Sequence, residues 1–100
     1  MGLQLAVDQT QIAEFCGKWR VKELSIFGSA LQDDFRPDSD VDVLVELQPQ
    51  HGLVLYDWLK MIEELTGIFG RDVDLVAKGG LRNALRRERI LRTAEVLYAA

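Results

Sequence analysis

From Asp40 to Leu47 apolar and polar residues alternate. Val41, Val43, Val45 and Leu47 share one face and Asp40, Asp42, Leu44 and Glu46 the other, the two-residue period of a strand with one continuous apolar face. Asp72 to Ala77 repeats the pattern, with Val73, Leu75 and Ala77 opposite Asp72, Asp74 and Val76. Glu23 to Phe27 predicts a third, shorter strand that stops at the breaker pair Gly28-Ser29. Elsewhere the period is helical. Ile12, Phe15, Cys16 and Trp19 fall at i, i+3, i+4 and i+7 behind Asp8, an N-cap with Gln11 three residues on, and predict a helix ending near Gly17 to Arg20. Leu55, Trp58, Leu59, Ile62 and Leu65 predict a second helix, with Lys60 and Glu64 paired on its outer side and Gly67 and Gly70 closing it. After Gly79-Gly80 a last helix is expected, with Leu81, Ala84, Leu85, Leu91, Ala94 and Tyr98 inward and Arg82, Arg86 and Arg89 outward. Pro37 and its neighbours make Asp33 to Ser39 a loop. The order αββαβα predicts an α/β (α+β) protein, a small mixed sheet of about three strands flanked by helices, with residues 1–100 forming a single domain.

A chain of 100 residues has room for one core, and 48% hydrophobic with 28% charged residues is an ordinary globular composition that excludes a disordered tail or a low-complexity linker. The longest stretch without a charge, Leu47 to Tyr56, is half the about 20 residues a membrane span needs. Met1 to Gln4 lacks the basic region of a secretory signal, and the lone Cys16 excludes a disulfide framework and a thiolate metal site, so a reducing, cytoplasmic setting is expected. A net charge of −4 gives no electrostatic reason to bind nucleic acid, and no direct nucleic-acid contact is expected. The charge is unevenly placed. Asp33, Asp34, Asp38, Asp40, Asp42 and Glu46 stand against Arg36 alone, whereas Arg82, Arg86, Arg87, Arg89 and Arg92 crowd the last fifth. That stripe suits an acidic partner or phosphates as well as it suits a solvated helix face.

The alternation puts Asp40 with Asp42, and Asp72 with Asp74, on single strand faces. Three carboxylates about 5 Å apart repel by a few kcal/mol per pair at an effective dielectric near 20, so a converging set calls for a cation. Mg²⁺ fits, since it takes one or two carboxylates, waters and phosphate oxygens. A calcium loop starting at Asp38 is excluded because its sixth and twelfth positions would be Val43 and Pro49 rather than Gly and Glu. Gly28-Ser29 after a strand offers a close backbone approach and a hydroxyl donor to a phosphate. His51 has no second His or Cys beside it and reads as a surface or capping residue, while Trp19, Trp58 and Cys16 lie on apolar stripes and read as core.

Gly28-Ser29, ten residues, then Asp40-Val41-Asp42, with a further Asp in a later strand, resembles the nucleotidyltransferase superfamily that shares its fold with DNA polymerase β. Phe27-Gly28-Ser29, Arg36 to Val45, Val73-Asp74-Leu75-Val76 and Arg89-Ile90-Leu91-Arg92 most resemble the minimal nucleotidyltransferases, the MntA-like antitoxins encoded beside HEPN-domain toxins. The resemblance implies a polymerase β-like fold in which Asp40, Asp42 and Asp74 are catalytic and bind two Mg²⁺ ions, and Gly28 and Ser29 hold the triphosphate of ATP. It further implies transfer of AMP to a tyrosine of a HEPN-type RNase toxin. In such a two-metal transfer Asp74 is the candidate base, since a carboxylate near the acceptor can take its proton while sharing the metal. Many relatives carry Arg at the third position after the Ser. Here that position is Gln32, which hydrogen-bonds but cannot neutralise charge. Gln32 keeps open an alternative in which the chain neutralises its toxin by binding alone. A small-molecule or RNA acceptor is a weaker reading, because a single domain is expected, with no second one to hold such an acceptor, and the chain's negative charge repels RNA.

Overall fold

The computed structural model describes residues 7–28, 40–80 and 84–100. Its elements are α1 (Gln9–Lys18), β1 (Val21–Phe27), β2 (Val41–Leu47), α2 (Leu55–Phe69), β3 (Val73–Ala77), a 3₁₀ turn (Lys78–Gly80), α3 (Ala84–Thr93) and β4 (Glu95–Ala99). The Asp8 carboxylate starts α1 by accepting from the backbone N–H groups of Thr10 and Gln11 at 2.9 and 3.2 Å, donors that have no partner inside a helix. Asp57 does the same for α2, accepting from the N–H of Val54 at 3.0 Å. Gly70 ends α2 at φ +71°, its N–H returning to the Thr66 carbonyl at 2.8 Å, while Gly67 lies inside the helix.

The sheet order is β3-β2-β1-β4, with β2 and β3 parallel and the β1–β2 and β1–β4 pairs antiparallel. Parallel neighbours cannot be joined by a tight turn, and α2 supplies the crossover from β2 to β3. One face of the sheet carries Leu24, Ile26, Val41, Val43, Val45 and Leu75. It packs against Ile12, Phe15 and Cys16 of α1 and Met61, Leu65 and Phe69 of α2 to make the main core. On the other face a smaller cluster joins Phe27 and Leu44 to Ile90 of α3, with Val76 and Ala94 against it. Burial on both faces explains why Leu44, on the polar side of the alternation, is also buried.

Three expectations are corrected. The last helix does not reach Tyr98: it stops at Thr93, and Glu95–Ala99 forms β4 on the free edge of β1, extended by the Ala100 N–H to the Lys22 carbonyl at 2.8 Å. Ala94 and Tyr98 satisfy a helical spacing, but Val96, Leu97 and Tyr98 also favour a strand. The otherwise unpaired edge of β1 decides between them, so the sheet has four strands. Leu55 and Leu59 are not core residues: they are 73% and 57% exposed. At about 100° per residue they sit about 80° and 120° around the helix from Leu65, off the line Met61, Leu65 and Phe69 that meets the sheet. Glu64 does not pair on the helix surface with Lys60, which stands 4.0 Å from Glu63 instead. Glu64 lies 2.6 Å from Lys18 and accepts from the Trp19 indole N–H at 3.1 Å, tying α2 to α1.

Candidate active site

Strand register builds the face under α3 in rows, because residues directly opposite one another on neighbouring strands share a face. In the first row Phe27 of β1 stands opposite Asp42 of β2, and Asp42 stands beside Asp74 of β3. The second row is Ser25, Leu44 and Val76, and the third pairs Glu23 with Glu46. Adjacent strands run about 4.8 Å apart, so the first row brings two carboxylates from separate parts of the sequence side by side. The third row also sets like charges together, and Lys78 neutralises them, its Nζ lying 3.3 Å from Glu46 and 3.9 Å from Glu23. In the first row the residue across from Asp42 on β1 is the apolar Phe27.

Gly28 follows Phe27 at φ +75°, in the left-handed region where side chains are strained. A Cβ built on Gly28 would collide with Asp42 Oδ2. The glycine therefore leaves room for the Asp42 carboxylate. Asp40 is exposed immediately before β2, on the same side of the alternation as Asp42, and Asp74 is exposed within β3. Asp72 precedes β3, and its backbone carbonyl accepts from the N–H of Val41 at 2.9 Å. Ser29, Gln32 and Arg36 lie outside the described residues, so the structure says nothing of the second half of the Gly-Ser pair. The side chains of Arg82, Arg86, Arg87 and Arg89 are also outside it, whereas Arg92 pairs with Glu88 at 2.6 Å.

Among the described residues no group of three or more His, Cys, Asp or Glu side chains is placed to hold a metal ion, so the expected convergence of Asp40, Asp42 and Asp74 on one point is not found, and the register joins only Asp42 and Asp74. An open arrangement is what Mg²⁺ uses, since it retains several waters and shares phosphate oxygens with a substrate. The donors present, carboxylate oxygens of Asp42 and Asp74 at adjacent register positions beside a glycine cradle, suit that hard cation.

The remaining candidates take structural places. Cys16 is fully buried in the main core, and burial pushes its thiol up to about 12. His51 Nδ1 accepts from the N–H of Leu53 at 2.9 Å, a local turn contact. Trp19 is buried and Trp58 packs against the same core from its edge. Among the described residues no helix is long and apolar enough to cross a membrane. Reading the sequence alone missed the placement of Phe27 across from Asp42, although the alternation in both strands carried its signal once β1 and β2 are paired antiparallel.

Residues 9–97 match the nucleotidyltransferase domain family. The protein adenylyltransferase MntA of Thermococcus cleftensis is 33% identical over 81 residues, which is 81% of this chain and 77% of that protein. Across the curated relatives it matches, the chain spans between 65% and 80% of their length. A solved structure of a candidate minimal nucleotidyltransferase is 32% identical, with a TM-score of 0.71 over 87% of this chain and 86% of the other. A tri-AMPylated HEPN toxin of Shewanella oneidensis in complex with its MNT antitoxin gives a TM-score of 0.63 at 17% identity, over 92% of this chain and 70% of that one, a likeness of fold. With the strand order and the first-row carboxylates, these matches make the chain a member of the nucleotidyltransferase domain family and an enzyme of that class.

Proposed function

We propose that this chain is a Mg²⁺-dependent adenylyltransferase that moves AMP from ATP to a tyrosine hydroxyl of a cognate HEPN-type RNase toxin, and so acts in the cytoplasm as its antitoxin. The observation that carries the reading is the register that sets Asp42 beside Asp74 with Gly28 against the Asp42 carboxylate. The relatives named above support it, since they include a protein adenylyltransferase and an MNT antitoxin bound to an AMPylated toxin. Asp40, Asp42 and Asp74 are the residues to hold the metal ions, and Gly28 and Ser29 the residues to hold the triphosphate. Bound there, Mg²⁺ would neutralise charge on the phosphates and on the departing pyrophosphate.

The work of the chain itself is to orient and to accept a proton. The tyrosine oxygen forms a bond to the α-phosphorus, the bond from that phosphorus to the bridging oxygen breaks, and pyrophosphate leaves. The tyrosine proton passes to Asp74, the carboxylate proposed as the base. Pyrophosphate release from ATP, Mg²⁺ and the partner toxin tests the reading. Release that requires all three supports it, and none under saturating ATP defeats it.

Gln32 favours a second reading, in which the toxin is neutralised by binding alone and the nucleotide site is idle. A variant with Asp40, Asp42 and Asp74 all changed to Asn separates the two. Full, stoichiometric silencing of the toxin by that variant supports binding alone, and a requirement for ATP excludes it.

A further inference from the structure

Phe27 completes the row that holds Asp42 and Asp74. It stands opposite Asp42 in the β1–β2 ladder, is only 7% exposed, and packs with Leu44 and Ile90 in the cluster beneath α3. Its next neighbour in the chain is Gly28, whose φ of +75° brings it against Asp42 Oδ2. A glycine has no side chain to anchor it, so its place beside the carboxylate depends on where β1 is pinned. The last residue of β1 is Phe27, and the pin is its ring, held against Leu44 of β2 and Ile90 of α3. A close-packed cluster of this kind transmits displacement instead of absorbing it.

We propose that Phe27 is the positioning residue for Asp42. By locking the end of β1 against Leu44 and Ile90 it holds Gly28 against the Asp42 carboxylate, and it thereby couples the placement of α3 to the geometry of the Asp42 and Asp74 pair. Phe27 acts through Asp42 and need not touch the substrate. This inference rests on the reading of that pair as the site for divalent cation and nucleotide.

The test is a thermal-shift titration of Mg²⁺ with an ATP analogue whose α- and β-phosphorus are bridged by a methylene group, so that binding is read without transfer. Phe27→Leu keeps an apolar side chain but shortens its reach. The Mg²⁺ concentration for half-maximal stabilisation should rise about ten-fold, the scale on which supports behind a metal ligand act. Phe15→Leu makes the same chemical change in the cluster on the opposite face and should lower Tm without moving that midpoint. Ile90→Val, trimmed from the α3 side, should move the midpoint in the same direction as Phe27→Leu, and it carries the test if Phe27→Leu does not fold. An unmoved midpoint, or an equal shift in Phe15→Leu, overturns the role of Phe27 while leaving the site in place. A wild-type protein that the analogue and Mg²⁺ do not stabilise overturns the site reading together with it.

Discussion

Gly28 and Asp42 are fitted to one another, and replacing the glycine shows what each contributes. In Gly28→Ala the backbone must hold φ +75° with a side chain, at about 1–2 kcal/mol, and the new Cβ displaces the Asp42 carboxylate. The displaced atoms are the free end of a side chain and can swing aside, so the fold gives little further. We expect Gly28→Ala to lower Tm by roughly 5–10 °C while reducing the transfer rate at least about ten-fold, read by melting and by pyrophosphate release. A second residue-level contrast lies in β3. Asp74→Asn removes a charge and a proton acceptor at the register position of Asp42, and should cost on the order of 10²-fold in transfer rate with a modest effect on ATP binding. Asp72→Asn, outside the strand, should cost little. The reverse order would place the working carboxylate two residues earlier.

At the scale of elements, α1 and α2 are held together by more than apolar packing. Partial burial pushes the Glu64 carboxyl up. Hydrogen bonds from Lys18 and Trp19, with the charges of Lys18 and Lys60, outweigh that and hold it below the usual glutamate value. A carboxyl lowered in the folded state adds stability that is present above its unfolded pKa and lost as pH falls through the folded pKa. Glu64→Gln should therefore cost about 0.5–1 kcal/mol near neutral pH, a solvent-screened amount, and the gap to wild type should close as the pH falls below the usual glutamate range. Melting curves of both proteins across that range check it. Alternation made β2 and β3 legible in the sequence, because each keeps a strand's period, with Val41, Val43 and Val45 of β2 and Val73 and Leu75 of β3 facing the main core. β4 was not legible. Its residues satisfy two periods, and the edge of β1 that chooses between them is a tertiary fact. The same holds for the site. The spacing of Asp40, Asp42 and Asp74 was visible, but the parallel register that sets Asp42 beside Asp74, and the ladder that sets Phe27 across from Asp42, exist only once the strands pair.

Over the whole molecule a net charge of −4 is combined with a C-terminal run of arginines. If Arg82, Arg86 and Arg89 meet an acidic surface of the toxin, changing all three to Glu should weaken that complex at low salt, while Mg²⁺ and nucleotide binding stay unchanged because the first-row carboxylates are untouched. Loss of nucleotide binding in a calorimetric titration would assign those arginines to the active site instead. The central claim, adenylyl transfer to a partner tyrosine, is tested most directly by the intact mass of the HEPN partner after incubation with this chain, ATP and Mg²⁺. Mass increments of one or more AMP are expected on the partner, located to tyrosine and absent with Asp42→Asn. A partner that is silenced while its mass stays unchanged would contradict the claim.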